Sequence, residues 1–111
     1  MEIGFRRESE AALFNDSSQL RRKYGKDCAE RIEARLAQID AAPSLAALAK
    51  LPQARLHQLV GNRDEQFSLD LKHPLRLIVE VADDPVPRLA DNGIDRQQVT
   101  RLAFVEITDT H

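Results

Sequence analysis

The sequence predicts an α+β fold, with two N-terminal helices packed on one face of a mainly antiparallel sheet of four to five strands. Three observations carry that expectation. Apolar residues recur at helical spacing through the first forty or so positions. From Ala54 onward the apolar period changes to two. The order is helices first and strands afterwards, as a meander.

The elements follow in order. "MEIGF" reads as a short first strand with Ile3 and Phe5 on one face. "ESEAALFNDSSQLRRKY" reads as helix, with Leu13, Leu20 and Tyr24 in phase. Its centre, "NDSS", is a weak point, because Asn, Asp and Ser offer the backbone competing hydrogen bonds. Gly25 is a good stop. "KDCAERIEARLAQIDAA" is the strongest helix, and Asp27 and Glu30 have the spacing of a capping box. Cys28, Ile32, Leu36 and Ile39 form its apolar stripe, and Glu30, Arg31, Glu33 and Arg35 are expected on the outer side. Pro43 ends it, and "SLAALAKLP" adds a short helical turn.

"ARLHQLV" is expected as a strand and "GNRDE" as a turn. In "QFSLDLK", Phe67, Leu69 and Leu71 should face inward, and Ser68, Asp70 and Lys72 outward. In "LRLIVEVA", Leu75, Leu77, Val79 and Val81 share one face; Arg76, Ile78 and Glu80 share the other. Residues 83–98 hold two prolines and several acids and read as a long loop, either functional or disordered. "VTRLAFVEIT" is the last strand, where Val105 and Ile107 continue an apolar alternation.

With 111 residues, the chain is expected to form one domain, spanning 1–111. The apolar runs are too short to span a membrane, and "MEIGFRRESE" lacks the apolar core of a signal peptide. Cys28 is the only cysteine, which excludes an internal disulfide and points to a reducing cytoplasm. The net charge of −2 is unevenly spread. Residues 1–63 carry eleven Lys/Arg against eight Asp/Glu, and residues 64–111 carry five against ten. A sequence-independent nucleic-acid binder would usually be basic overall. Phosphate contacts here must therefore come from a local arginine cluster.

No metal or cofactor motif is present. His57, His73 and His111 lack ligand spacing, and no Gly-rich phosphate loop or GxSxG occurs. Aromatic content is 5%, with no Trp, which argues against a base-stacking platform. What remains is polar residues on strands. Arg55 and His57 alternate onto one face, Arg63 follows in the turn, Arg76 interrupts an apolar strand, and Asp109 and His111 close the last strand. Guanidinium matches phosphate in geometry and charge, and imidazole can take or give a proton near neutrality. RNA cleavage without a metal needs that inventory. A base removes the 2′-OH proton, a cation stabilises the transition state, and an acid protonates the leaving 5′-oxygen. Asp109 and the α-carboxylate of His111 would favour its imidazolium. Blander readings stand beside these: a frayed end at His111, a solvated His57, an Arg76–Glu80 ion pair, and a solvated basic run at Arg21, Arg22 and Lys23.

The run "RLHQLVGNRDEQFSLDLKHPLRLIVE", followed by "FVEITDTH", resembles the RelE/ParE toxin superfamily, closest to its HigB-like, plasmid-maintenance killer branch. The matching positions are Arg55, Leu56, His57, Leu59, Gly61 and Arg63, then Arg76 and Leu77, then Asp109 and His111. They cover about residues 54–111 in motif and the whole chain in element order. A subgroup with a "LDLxHPxRLxxE" run and a terminal D-T-H is sometimes labelled killer suppression protein. The resemblance implies the toxin of a type II toxin–antitoxin pair, a metal-independent, cofactor-free endoribonuclease that cuts mRNA on the ribosome. It implies a cognate antitoxin, of the helix-turn-helix HigA-like kind, as partner. By the same resemblance, His57 and His111 would be acid and base, Arg76 would stabilise the phosphate, Asp109 would tune the site, and Arg55 and Arg63 would hold RNA. The chain departs from the pattern at Val60, where many relatives carry lysine, at Asp70, where many carry arginine, and at Thr110 in place of Tyr. Fewer cations and an added anion weaken RNA binding. Val60 and Asp70 motivate one alternative, a catalytically weakened or inactive module of this fold that binds an antitoxin; another is a ParE-like gyrase inhibitor, which needs no acid–base histidine.

Overall fold

The computed structural model describes residues 1–110. Its elements run β1 (Glu2–Gly4), α1 (Glu8–Phe14), α2 (Ser17–Tyr24), α3 (Lys26–Ala41), α4 (Leu45–Ala49), β2 (His57–Gln58), a 3-10 turn (Gly61–Arg63), β3 (Gln66–Asp70), β4 (Leu75–Val81) and β5 (Arg101–Asp109). The strands form one sheet in the order β1-β5-β4-β3-β2. All neighbours are antiparallel except β1, which pairs in parallel with β5. The fold is α+β, as the change of period predicts. Among the described residues no helix is long and apolar enough to cross a membrane.

The expected long first helix breaks at its weak point. Asp16 becomes the N-cap of α2, and its carboxylate accepts from the N–H groups of Ser18 (3.0 Å) and Gln19 (3.2 Å). Gly25 separates α2 from α3 at φ 84°, a conformation that glycine adopts without steric cost. The Asp27–Glu30 capping box does not form. Gly25 is the N-cap, with no side-chain cap, and Asp27 instead pairs with Lys72 of the β3–β4 turn at 3.3 Å.

One face of the sheet meets the helices. Phe67, Leu69, Leu77, Val79, Leu102 and Phe104 pack with Leu20, Cys28, Ile32 and Ile39 in a single core. Phe5, Phe14 and Phe104 add an aromatic trio, with centroids 5.1 Å apart for Phe5–Phe14 and 4.8 Å for Phe14–Phe104. The predicted Val105/Ile107 alternation is interrupted. Ile78 pairs with Glu106, but Val79 pairs with Phe104, so Val105 is the extra residue of a bulge. The bulge turns Phe104 into the core while leaving Ile107 on the same face further along.

Arg35 is a second departure. It stands in phase with Cys28, Ile32 and Ile39 on the inner face of α3, and only 8% of it is exposed. Its Nε donates to the Asp70 carbonyl (2.7 Å), one terminal nitrogen to the Gln53 carbonyl (2.7 Å), and the other to Gln38 Oε1 (3.1 Å). Burial lowers its affinity for the proton, and the Asp70 carboxylate counters this. The guanidinium pins the segment after α4 to the end of β3. A further bond from the Asp70 N–H to the Ala54 carbonyl (2.8 Å) joins the same two strands of chain. Pinned this way, the expected strand 54–60 narrows to His57–Gln58, and Arg55 turns the chain at φ 46°.

Residues 83–98 are ordered rather than loose. Arg88 and Ile94 form a β-bridge, and Ile94 and Val99 are buried in the core. The Val99 and Arg96 carbonyls accept from the Leu45 and Ala46 N–H groups, and Ser44 Oγ accepts from Ala47 N–H. Together they satisfy the orphan donors of the first turn of α4. Arg96 also lies over the Phe67 ring and donates to Gln58. Asp83 closes the base of the loop by accepting from Thr100 N–H, Thr100 Oγ1 and Arg101 N–H.

Two outcomes follow. Arg35→Ala strands two part-buried carbonyls and leaves a gap under the sheet, so urea unfolding should show a loss of about 2 kcal/mol, with Arg35→Lys recovering only part. For Asp83, burial acts to raise the carboxyl, but the hydrogen bonds from Arg101 and Thr100 outweigh it and hold the group below its ordinary value. Its stabilisation is complete above the unfolded-state value of about 3.9 and is lost as pH falls through the lower folded value. Asp83→Asn should therefore lower the melting temperature at neutral pH and shrink the difference from wild type in acid.

Candidate functional site

The face of the sheet opposite the helices carries the polar residues. Directly paired residues in antiparallel strands project to the same side, so the register maps this face in rows. One row runs Asp70, Arg76 and Thr108; Asp70 pairs with Arg76, and Arg76 with Thr108, and Arg55, which lies before β2, joins the row through its contact with Asp70. The next row runs His57, Ser68, Ile78 and Glu106. His57 therefore lies one row from the arginines, roughly 7 Å along the strands and two strands, roughly 10 Å, from Arg76.

The arginine row is an ion-pair triplet. Arg55 Nε lies 3.4 Å from Asp70 Oδ2, and Arg76 Nε lies 3.5 Å from Oδ1. Arg55 is largely exposed, whereas Arg76 and Asp70 are about three-quarters covered. Oδ1 is buried and accepts no hydrogen bond among the described residues, so the Arg76 contact is a charge pairing without hydrogen-bond geometry. The Arg76–Glu80 pairing considered from sequence is not formed by Glu80, which bonds Arg6 at 2.8 Å.

Arg63 folds back over the second row. It donates to Gln66 Oε1 (2.9 Å) and, at 2.5 Å, to Glu106 Oε2. Ser68 and Ile78 lie in the row that ends at Glu106, and both are fully buried. Ser68 was expected to face solvent. It does project from the sheet face away from the helices, but it is buried there, and its hydroxyl has no hydrogen-bond partner among the described residues. His57, by contrast, is exposed.

Asp109 pairs with Leu75, one position out of phase with Arg76. By alternation it belongs to the Leu75 side, while Thr108 shares the side of Arg76. His111 lies outside the described residues. The structure thus brings Arg55, Arg76 and His57 onto one face, adds Arg63 above them, and sets Asp109 on the other side of β5.

No protein-family model matches the chain, and no curated protein matches it. The reading of the face therefore rests on its residues.

Two carboxylates that spacing did not single out as partners control this face. Asp70 sits between two candidate phosphate ligands, and Glu106 holds the third. Asp70 could be found from alternation, because it projects beside Arg76 in a hairpin. Glu106 could not, because the bulge at Val105 shifts its register. The Arg63–Glu106 pair is one-third exposed on the arginine side and 43% on the glutamate side. A double-mutant cycle with Arg63→Ala and Glu106→Ala should give a coupling of no more than about 1 kcal/mol, falling with added salt.

Proposed function

We propose that the chain is the toxin-like component of a type II toxin–antitoxin pair, a metal-independent endoribonuclease that acts on mRNA at the ribosome. The observation that carries the reading is that Arg55 and Arg76, twenty-one positions apart, converge on one anion with His57 one row away on the same face. Two guanidiniums around an anion are the arrangement that a transferring phosphate needs. In this reading Arg76 and Arg55 stabilise the charge that builds on the scissile phosphate. His57 exchanges a proton with the 2′-OH or the 5′-oxygen, and His111 is the second acid–base group. The resemblance of the Arg55–Arg63 and Arg76–Leu77 motifs to RelE/ParE toxins supports the same reading and brings with it a HigA-like antitoxin as partner and a cytoplasmic setting.

A second reading is favoured by a specific observation. All three candidate phosphate ligands already face carboxylates, Arg55 and Arg76 with Asp70, and Arg63 with Glu106. A face whose arginines are already paired in this way suits a module that binds an antitoxin and no longer cuts RNA.

Controlled expression in a bacterial host separates the two. Growth arrest with cleaved mRNA, relieved by Arg76→Ala or His111→Ala, is the expected result for the nuclease. Growth without arrest from a folded wild-type chain would overturn it in favour of the binding module. Arrest with intact mRNA, unaffected by His111→Ala, would point instead to inhibition of gyrase.

A further inference from the structure

We infer that Asp70 decides whether this face accepts RNA, because its carboxylate occupies the seat of one backbone phosphate between Arg55 and Arg76. The inference rests on the reading of this face as an RNA-binding one. The two guanidiniums approach different oxygens of the same carboxylate, at 3.4 and 3.5 Å. Both distances exceed those of a well-made charge-assisted hydrogen bond, about 2.7–2.9 Å. Oδ1, though buried, accepts none among the described residues. A carboxylate offers two oxygens in one plane, and these two arginines do not engage them as forks. A phosphate is tetrahedral, and its larger set of oxygens can receive two guanidinium forks at once.

The carboxylate is held in place through its own backbone. The Asp70 N–H is bonded to the Ala54 carbonyl at 2.8 Å, and the Asp70 carbonyl is bonded to buried Arg35 at 2.7 Å. The residue cannot withdraw from the sheet to make way for an incoming anion; only its side-chain torsions are available. While it stays, the row Arg55–Asp70–Arg76 carries one net positive charge instead of two, and an RNA phosphate meets a like charge at the centre of the fork. The same backbone bonds are independent of the side chain, so an isosteric neutral residue at this position keeps the architecture.

The test uses the full chain and a short, labelled single-stranded RNA, with binding followed by fluorescence anisotropy across a salt series. Asp70→Asn should bind at least about tenfold more tightly than wild type at low ionic strength, the size of one charge-assisted contact. Its log–log salt slope should be steeper by about 0.7 for one added phosphate contact. Asp70→Glu should stay at the wild-type level, and Arg76→Gln in the Asp70→Asn background should remove the gain. Inorganic phosphate should raise the melting temperature of Asp70→Asn more than that of wild type, which keeps the idea testable if the variant is too unstable for the titration. Equal RNA affinity and equal phosphate response in Asp70→Asn and wild type would overturn the inference. If wild type nevertheless cleaves mRNA in the expression assay, the function stands and only the role of Asp70 falls. If Asp70→Asn gains RNA affinity and neither protein cleaves, the role of Asp70 stands and the nuclease reading falls.

Discussion

The structure depends on a buried guanidinium. Arg35 reaches from α3 to two stretches of chain that otherwise share the single Asp70–Ala54 backbone bond, the end of β3 and the turn after α4. An arginine can do this because its planar fork places donors in divergent directions from one rigid group. A charge placed under the sheet costs desolvation, and the carbonyls of Gln53 and Asp70 repay it by accepting from that fork. What the clamp positions is the candidate site. It sets Ala54 against Asp70, which fixes where the chain turns at Arg55 and hence where β2 and His57 join the sheet. The candidate site is therefore assembled from beneath, through the core, and not only by the strands that display it.

The same economy of charge governs the outer face. Arg6 bonds Glu80, Arg63 bonds Glu106, Arg88 bonds Glu65 and Arg101 bonds Glu2, while Arg55 and Arg76 flank Asp70. The basic residues of the sheet and its loops are matched to carboxylates that come largely from the acidic second half of the sequence. The arginines converge on one face, but the carboxylates beside them cut its positive charge. Geometry and electrostatics thus give different answers about RNA, and the centre of the disagreement is a single carboxylate.

Much of this was readable from residue order, and the failures have identifiable causes. Period-two patterning placed β3 and β4 to within a residue or two, because Phe67, Leu69, Leu77 and Val79 must share a buried side. The helix break at Asn15–Asp16 was visible in residues that prefer to cap. Arg35 was misplaced because a charge on a helix is read as solvated, although its phase with Cys28, Ile32 and Ile39 was the available signal. Val105 was misplaced because a bulge leaves no mark in an apolar run. In the site, alternation put Arg55 and His57 together and turned Asp70 outward, but it offered Glu80, not Asp70, as the partner of Arg76. It could not show that residues 83–98 would be ordered, because their anchors are backbone groups on α4 and the carboxylate of Asp83.

The parallel pairing of β1 with β5 sets Glu2 beside Arg101, 99 positions apart in the chain. Such a contact closes a loop almost as long as the protein, and its entropy must be met before β1 gains anything from joining the sheet. On a ribosome, β1 and the Phe5–Phe14 pair emerge well before Phe104, the third ring of their cluster, and wait for it. Until the last strand is made, β4 has an open edge and two aromatic rings lack their cover. The fold's completion thus waits on β5, and a nascent chain of this kind is an unfinished, adhesive object until that strand has been made.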